Sequence, residues 1–342
     1  MLKKLTFFYF FLTAFTTFFY SDFFMFKEGV YFHGMVGILG FALNAYLSIV
    51  VNEKNFKVVF DTLQKIYFYL SIILITLICF KLYVLITIVS FVYFIFTIPM
   101  LLRYDPDYVG LEKLFIKSSI YILLLDWVYF MYSLNYNTFF GMKTKFSYNY
   151  LSFSFPLSLI LFSEFVKFLK MKKKEIVVSV IVLVGGVLTM FIGMLLNIPI
   201  IELSSAGILL LLIFYYFVKS GKINDKFLFF NYMGLLLTGI FGFWYLYTVI
   251  AGVSDKVILL LHAHFAHYTW ATFGLFYLFV KNVKKRIYCM ANLLLSLVCL
   301  SVYLIKPYAF LLYISFCFFV ISGLIALFAF LKNGVRYGFK TS

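Results

Sequence analysis

Charge is what this sequence has least of: Asp, Glu, Lys and Arg make up 12% of its 342 residues, about half the roughly 25% of a soluble domain. Acidic residues number 13, histidines 4, cysteines 4 and prolines 5. So little charge excludes a soluble globular domain. It also excludes a disordered chain, which combines low hydrophobicity with high charge, and a nucleic-acid binder whose Lys and Arg sit on a folded polar surface. Cys79, Cys289, Cys299 and Cys317 form no CxxC pair and no secreted disulfide framework, and read as small core residues of apolar runs. Proline is almost absent from the interior of those runs, so the predicted helices are unbroken.

What is abundant is hydrophobicity, 65% of the chain, with a mean hydropathy of +1.04. A bilayer core offers no water to backbone groups, so a spanning chain must form helices or a closed barrel. The apolar runs here are continuous rather than alternating, which selects helices. Splitting them at charge clusters, Gly and Pro predicts twelve helices, at about 5–20, 28–50, 62–79, 82–102, 116–133, 147–166, 176–197, 203–218, 227–250, 256–280, 286–304 and 308–331. At about 20 residues per span, the twelve leave only short loops and no room for a soluble domain. The expected fold is therefore an all-α integral membrane bundle of about 12 transmembrane helices, a single domain over 1–342. The first run follows Lys3 and Lys4, and Tyr20-Ser21-Asp22 offers no small-x-small cleavage site, so it reads as a retained helix.

Twelve spans put both termini on one side. Of the 29 Lys and Arg, 23 fall on that side, and only Lys27, Lys81, Lys143, Lys145, Lys256 and Lys306 fall on the other. The positive-inside rule then places both termini in the cytoplasm of a multi-pass plasma-membrane protein. The net charge of +16 is mostly topology. It calls for contact with anionic lipid, at Lys172, Lys173 and Lys174 especially, and for no nucleic acid. Loops and glycines follow no fixed period, so no internal repeat is assigned.

All four histidines lie inside predicted helices: His33 in the second, and His262, His264 and His267 in the tenth. Imidazole at that depth marks a functional site by default, although a single residue such as His33 also serves as interhelical hydrogen-bond glue. At about 100° per residue His262 and His264 project about 200° apart. Two imidazoles on opposite faces suit a helix wedged between two planar cofactors, whereas one tetrahedral metal wants ligands on one face. His264 and His267 are the converging i, i+3 pair, which makes His267 a candidate extra ligand. His33 lies about 8 Å and His264 about 12 Å below the outer ends of their helices at about 1.5 Å per residue. The two can therefore meet at one level as axial ligands of one haem iron.

Here the sequence resembles the twelve-helix catalytic subunit of haem-copper oxidases and nitric oxide reductases. His262-Ala263-His264-Phe265-Ala266, followed by Gly274, is similar to the reductase form of the tenth helix. Phe32-His33-Gly34, leading into Gly40-Phe41-Ala42-Leu43-Asn44-Ala45, is similar to the second helix of C-type oxidases. The resemblance implies one or two haem b groups, with His33 and His264 the ligands of a low-spin haem and His262 the ligand of a second. It further implies other membrane or peripheral respiratory subunits as partners and a quinol or cytochrome-type electron donor. The family also places one His on the sixth helix and a pair on the seventh to hold copper or iron. This chain has Tyr148, Tyr150 and Pro156 in the sixth and Gly185 and Gly186 in the seventh, so no copper is expected, nor oxygen reduction by the isolated chain.

Asp126, mid-span in the fifth helix, is a candidate proton relay. Glu164 reads as an i, i+3 surface partner of Lys167. Lys306, in the outer loop before Pro307, is placed either to contact a haem propionate or to snorkel at the interface. The 28 Tyr and 48 Phe are ordinary lipid-facing and interfacial residues and receive no role. Two other function classes fit the same residues: a proton-coupled transporter or metal-ion carrier built on Asp126 and the tenth-helix histidines, and a cofactor-free structural or assembly subunit in which the histidines pack helices.

Overall fold

A computed structural model describes residues 1–18, 33–51, 59–103, 111–136, 138–139, 142–143, 148–253 and 255–337. Lys27, Phe32, Lys54, Lys57, Lys145, Lys340 and the Tyr20-Ser21-Asp22 segment lie outside the described residues, as do the side chains of Arg103, Lys143, Tyr148, Tyr150 and Arg336. The helices are α1 (Leu2–Phe18), α2 (His33–Val50), α3 (Phe60–Cys79), α4 (Tyr83–Arg103), α5 (Lys113–Asn135), α6 (Tyr148–Val166), α7 (Lys173–Leu196), α8 (Pro199–Ser220), α9 (Lys226–Ile250), α10 (256–279), α11 (Val283–Ile305) and α12 (Ala309–Tyr337). Between α5 and α6 a two-residue antiparallel ladder pairs Thr138 with Lys143 and Phe139 with Met142. Helix ends run past several charge clusters, as at Lys173 and Lys174 in α7, because the backbone ladder closes as well in the headgroup region as in hydrocarbon.

Among the described residues nine helices are long and apolar enough to cross a membrane: α2, α3, α4, α5, α7, α8, α9, α11 and α12. The chain is an all-helical membrane protein. Of the other three, α10 carries His262, His264, His267, Thr269 and Thr272 through its middle turns, which lowers its hydropathy; the described apolar stretches of α1 and α6 are Leu2–Phe18 and Phe153–Val166.

Two compact units make up the chain, Met1–Val180 and Ile181–Ser342. In the first, α1 packs on α2 and α3, α2 touches α6, and α3 to α6 follow one another in adjacent pairs. Helix α4 shows how such a helix is sorted. Val84, Ile88, Phe91, Ile95, Ile98 and Leu102 are exposed along one stripe, while Ser90, Tyr93, Thr97 and Met100 are buried on the other. Lipid solvates the apolar side, and the polar side turns inward. Aromatic rings fill the middle: Tyr67 stacks on Tyr93 at 5.8 Å, and Tyr93 on Trp127 at 4.6 Å. Trp127, Tyr9, Tyr46, Tyr67 and Tyr93 are among the largest fully buried side chains, so these aromatics build the core and are not interfacial as expected.

In the second unit α8, α9, α10, α11 and α12 pack in sequence. Side-chain caps start three of them: Asp225 accepts from the N–H groups of Phe227 and Leu228, Asp255 from Val257 and Ile258, and Asn282 from Lys285. Helices α11 and α12 are joined by two reciprocal clamps seven residues apart. Ser296 Oγ donates to the Ser315 carbonyl at 2.6 Å and Ser315 Oγ to the Ser296 carbonyl at 2.8 Å. Ser322 Oγ donates to the Cys289 carbonyl at 2.9 Å, with Cys289 Sγ 3.6 Å from the Ser322 carbonyl.

The expectation for cysteine holds in one position out of four: Cys289 is buried, Cys299 half-buried, and Cys79 and Cys317 lie on the outer surface. Lipid accepts a thiol as readily as a protein core does, so an apolar run does not say which way a Cys points. The Glu164–Lys167 pair forms as expected, at 2.9 Å. The helices are not uniformly regular. Pro99 and Pro156 sit inside α4 and α6, and α2 and α10 each contain a seven-residue π-helical stretch, Val36–Ala42 and Ala266–Thr272.

Candidate functional site

The two π stretches fall in the two helices that carry histidine. The first starts three residues after His33, the second two residues after His264. A π turn displaces the i→i+4 ladder and leaves carbonyls short of donors. In both helices an asparagine amide supplies the missing donor at the fourth and fifth residues of the stretch. Asn44 Nδ2 lies 3.5 Å from the Leu39 carbonyl and 2.6 Å from that of Gly40. Asn231 Nδ2, reaching across from α9, lies 2.6 Å from the Thr269 carbonyl and 3.3 Å from that of Trp270.

Each of three imidazoles is tied through Nδ1. His262 Nδ1 is 2.8 Å from the Thr238 carbonyl of α9, and His264 Nδ1 is 2.7 Å from the Leu260 carbonyl of its own helix. A carbonyl oxygen only accepts, so both rings donate from Nδ1–H, and the neutral ring then carries its lone pair on Nε2. His33 Nδ1 meets the Thr16 hydroxyl at 3.1 Å. That hydroxyl also donates to the Thr13 carbonyl at 2.8 Å, which leaves its oxygen lone pairs to accept from His33.

A stripe of small residues on α9 lets the His262 ring approach. Gly234, Thr238 and Gly242 recur every four residues and face α10. A Cβ at Gly242 would lie 2.7 Å from His262 Nδ1, and one at Gly234 would lie 2.2 Å from Thr269 Cβ. Contacts in this unit carry His262 towards α9 and His267 towards α12, where its ring stacks on Phe319 at 6.1 Å. His267 is the second residue of the π stretch, so the i, i+3 geometry expected to bring it together with His264 is altered. Tyr268, 6.2 Å from His264 and 5.9 Å from His267 between ring centres, lies beside both. A small apolar cavity lined by Phe230, Tyr268, Thr269, Phe273 and Met290 adjoins this stretch.

Asp126 is 4% exposed on the inward face of α5. Lys306 is the exposed residue ending α11. Among the described residues no three His, Cys, Asp or Glu side chains are placed to hold a metal ion together. A haem iron asks less of the protein, one or two axial imidazoles.

Sequence reasoning found the histidines and the buried acid. It missed the parts that hold them: Thr16, Thr238, Gly242, Asn44 and Asn231. The available signals were the four-residue spacing of small residues in α9 and two asparagines inside strongly apolar runs. Compared with known protein families, with curated proteins and with solved structures, the chain matches none.

Proposed function

We propose that the protein is a histidine-ligated haem subunit of a membrane electron-transfer complex. In this reading all twelve helices span the plasma membrane, and both termini are cytoplasmic. The observation that carries the function is the anchoring of Nδ1: His262 and His264 each commit Nδ1–H to a carbonyl oxygen, and His33 Nδ1 meets the Thr16 hydroxyl. Ligating histidines characteristically donate their other N–H to an acceptor, which orients the ring and raises the basicity of the free nitrogen. Each residue taken by itself fits an axial-ligand role; the assignment of His33 and His264 to a low-spin haem and of His262 to a second is what the resemblance of the sequence implies.

A bound haem supplies a one-electron iron centre, fed in this reading by a quinol or cytochrome-type donor. The chain's own work is to hold the imidazoles. Thr238 and Gly242 fix the His262 ring against α9, and the Leu260 carbonyl fixes His264 from one turn away. Thr16 does the same for His33. The π stretches beside them are of a kind frequent at functional sites, and Lys306 provides a cation for a propionate.

The test is the reduced-minus-oxidised spectrum of the purified protein with haem counted per chain. One or two b-type haems are expected, with His33→Ala and His264→Ala each removing the same low-spin band and His262→Ala a different one. A featureless spectrum after expression in a haem-replete host overturns this reading and favours the transporter built on Asp126.

A further inference from the structure

Acids are missing from one end of the second unit. Between Glu202 and Asp255 the chain has a single acid, Asp225, and after Asp255 it has none. Asp225 is spent within the protein: Oδ1 accepts from the N–H groups of Phe227 and Leu228 at 3.0 and 3.1 Å, and Oδ2 from the Tyr277 hydroxyl at 2.7 Å. At this end, where α8 and α10 stop and α9 and α11 start, stand Lys222, Lys226, Lys281, Lys284, Lys285 and Arg286. Arg286 is held in place. Its Nε donates to the Val280 carbonyl, and its guanidinium lies 4.5 Å from the centre of the Tyr277 ring and 6.0 Å from that of Phe227. Lys222, Lys226, Lys281 and Lys284 are exposed and Lys285 is half-buried.

Orientation alone does not explain such an end. Lys and Arg set topology while Asp and Glu contribute little to it, so acids could stand beside these lysines at no cost to orientation. The α6–α7 connection of the first unit does this: Glu164 pairs with Lys167 at 2.9 Å, and Glu175 accepts from the Lys172 N–H at 2.7 Å. Like charges gathered together repel, and an anion bound among them removes that cost. The neighbouring surface says what kind of anion. Val283, Ile287, Leu295, Val298 and Val302 are exposed along α11, an apolar stripe that starts beside Lys284. The cations thus stand at the head of a lipid-facing stripe, where lysine stems lie along apolar surface and their ammonium groups stay at headgroup level. A ligand that fits both parts is amphiphilic, anionic at one end and apolar along its length.

We propose that Lys281, Lys284 and Lys285 form a binding site for one anionic glycerophospholipid, its phosphate lying among the ammonium groups and an acyl chain along the stripe from Val283 to Val302. Arg286, tied to Val280 and Tyr277, fixes the start of α11 against the end of α10 and so presents the lysines at one place. Lys222 and Lys226, on either side of Asp225, add to the positive field. In the proposed orientation this end faces the cytoplasmic leaflet, which carries the anionic lipid. The inference stands apart from the haem reading, since none of these residues is an assigned ligand.

The test counts, by native mass spectrometry, the lipids held by the purified full chain during titration with phosphatidylglycerol or with phosphatidylcholine. Lys284→Gln and Lys285→Gln should each weaken one phosphatidylglycerol site about fivefold. The double variant should hold one phosphatidylglycerol fewer than the parent chain, with its phosphatidylcholine count unchanged. Ile287→Ser, within the stripe, should weaken the same site while leaving every charge in place. Lys256→Gln removes the same charge at the other end of α10 and should leave both counts as they are. Excess inorganic phosphate should not displace the lipid. An unchanged phosphatidylglycerol count in the double variant, or an equal loss in Lys256→Gln, overturns the site. Displacement by inorganic phosphate makes the occupant a free anion and overturns the lipid, and a parallel loss of phosphatidylcholine overturns the role of charge.

Discussion

Replacing Gly242 by Ala tests the His262 seat most directly. The added Cβ would sit 2.7 Å from Nδ1 and 2.8 Å from Cε1 of the ring, where ordinary contact begins at 3.4 Å. The ring must therefore move by about 0.7 Å, beyond the about 0.5 Å within which ligand constellations work. Both packing and the 2.8 Å bond to the Thr238 carbonyl suffer. Overpacking costs about 1–3 kcal/mol and the lost hydrogen bond about 0.5–1.5 kcal/mol. The better helix propensity of Ala returns about 1 kcal/mol. The expected net loss is about 0.5–3.5 kcal/mol, read as a lower melting temperature. Under the proposed function the band assigned to His262 shifts or is lost, while the low-spin band persists. Gly185→Ala is the matched control, because a Cβ there meets nothing within 4 Å; it should be neutral or mildly stabilising. If the two alanine variants behave alike, the close approach of α9 to His262 is not what holds the ring.

Asn231→Leu strips the donor from the Thr269 and Trp270 carbonyls, and thermal unfolding should show a loss of about 1–3 kcal/mol. Thr16→Val keeps the shape but removes the hydroxyl that His33 Nδ1 meets. It should cost about 0.5–1.5 kcal/mol and, if His33 is an axial ligand, broaden the low-spin band without abolishing it. For the Ser296–Ser315 clamp, either single alanine should destabilise by about 1 kcal/mol, and the double variant should cost less than the two together, measured by a double-mutant cycle. Asp225→Ala removes the cap of α9 and the acceptor of the Tyr277 hydroxyl, 2.7 Å away. A fall of about 1–2 kcal/mol in stability is expected, rescued by Asn at the cap but not at Tyr277.

Composition and continuous apolar runs were enough to decide that this chain is a helical membrane protein, because hydrocarbon leaves the backbone so few options. The positions of the helices followed from where charge and Gly interrupt those runs, and the Glu164–Lys167 pair from helical spacing alone. Four histidines in apolar segments stood out for the same reason, since each needs a partner at that depth. Which partner each one has was decided only by tertiary structure. Lipid accepts an apolar side chain as well as a core does, so the sequence pattern did not say that Cys79 faces outward, that Tyr93 and Trp127 lie at the centre of the first unit, or that Gly242 opens room for an imidazole. The π stretches were equally hidden. They arise where Asn44 and Asn231 compensate the displaced ladder, a balance set by contacts distant from the turn itself and not by the propensities of the residues that form it.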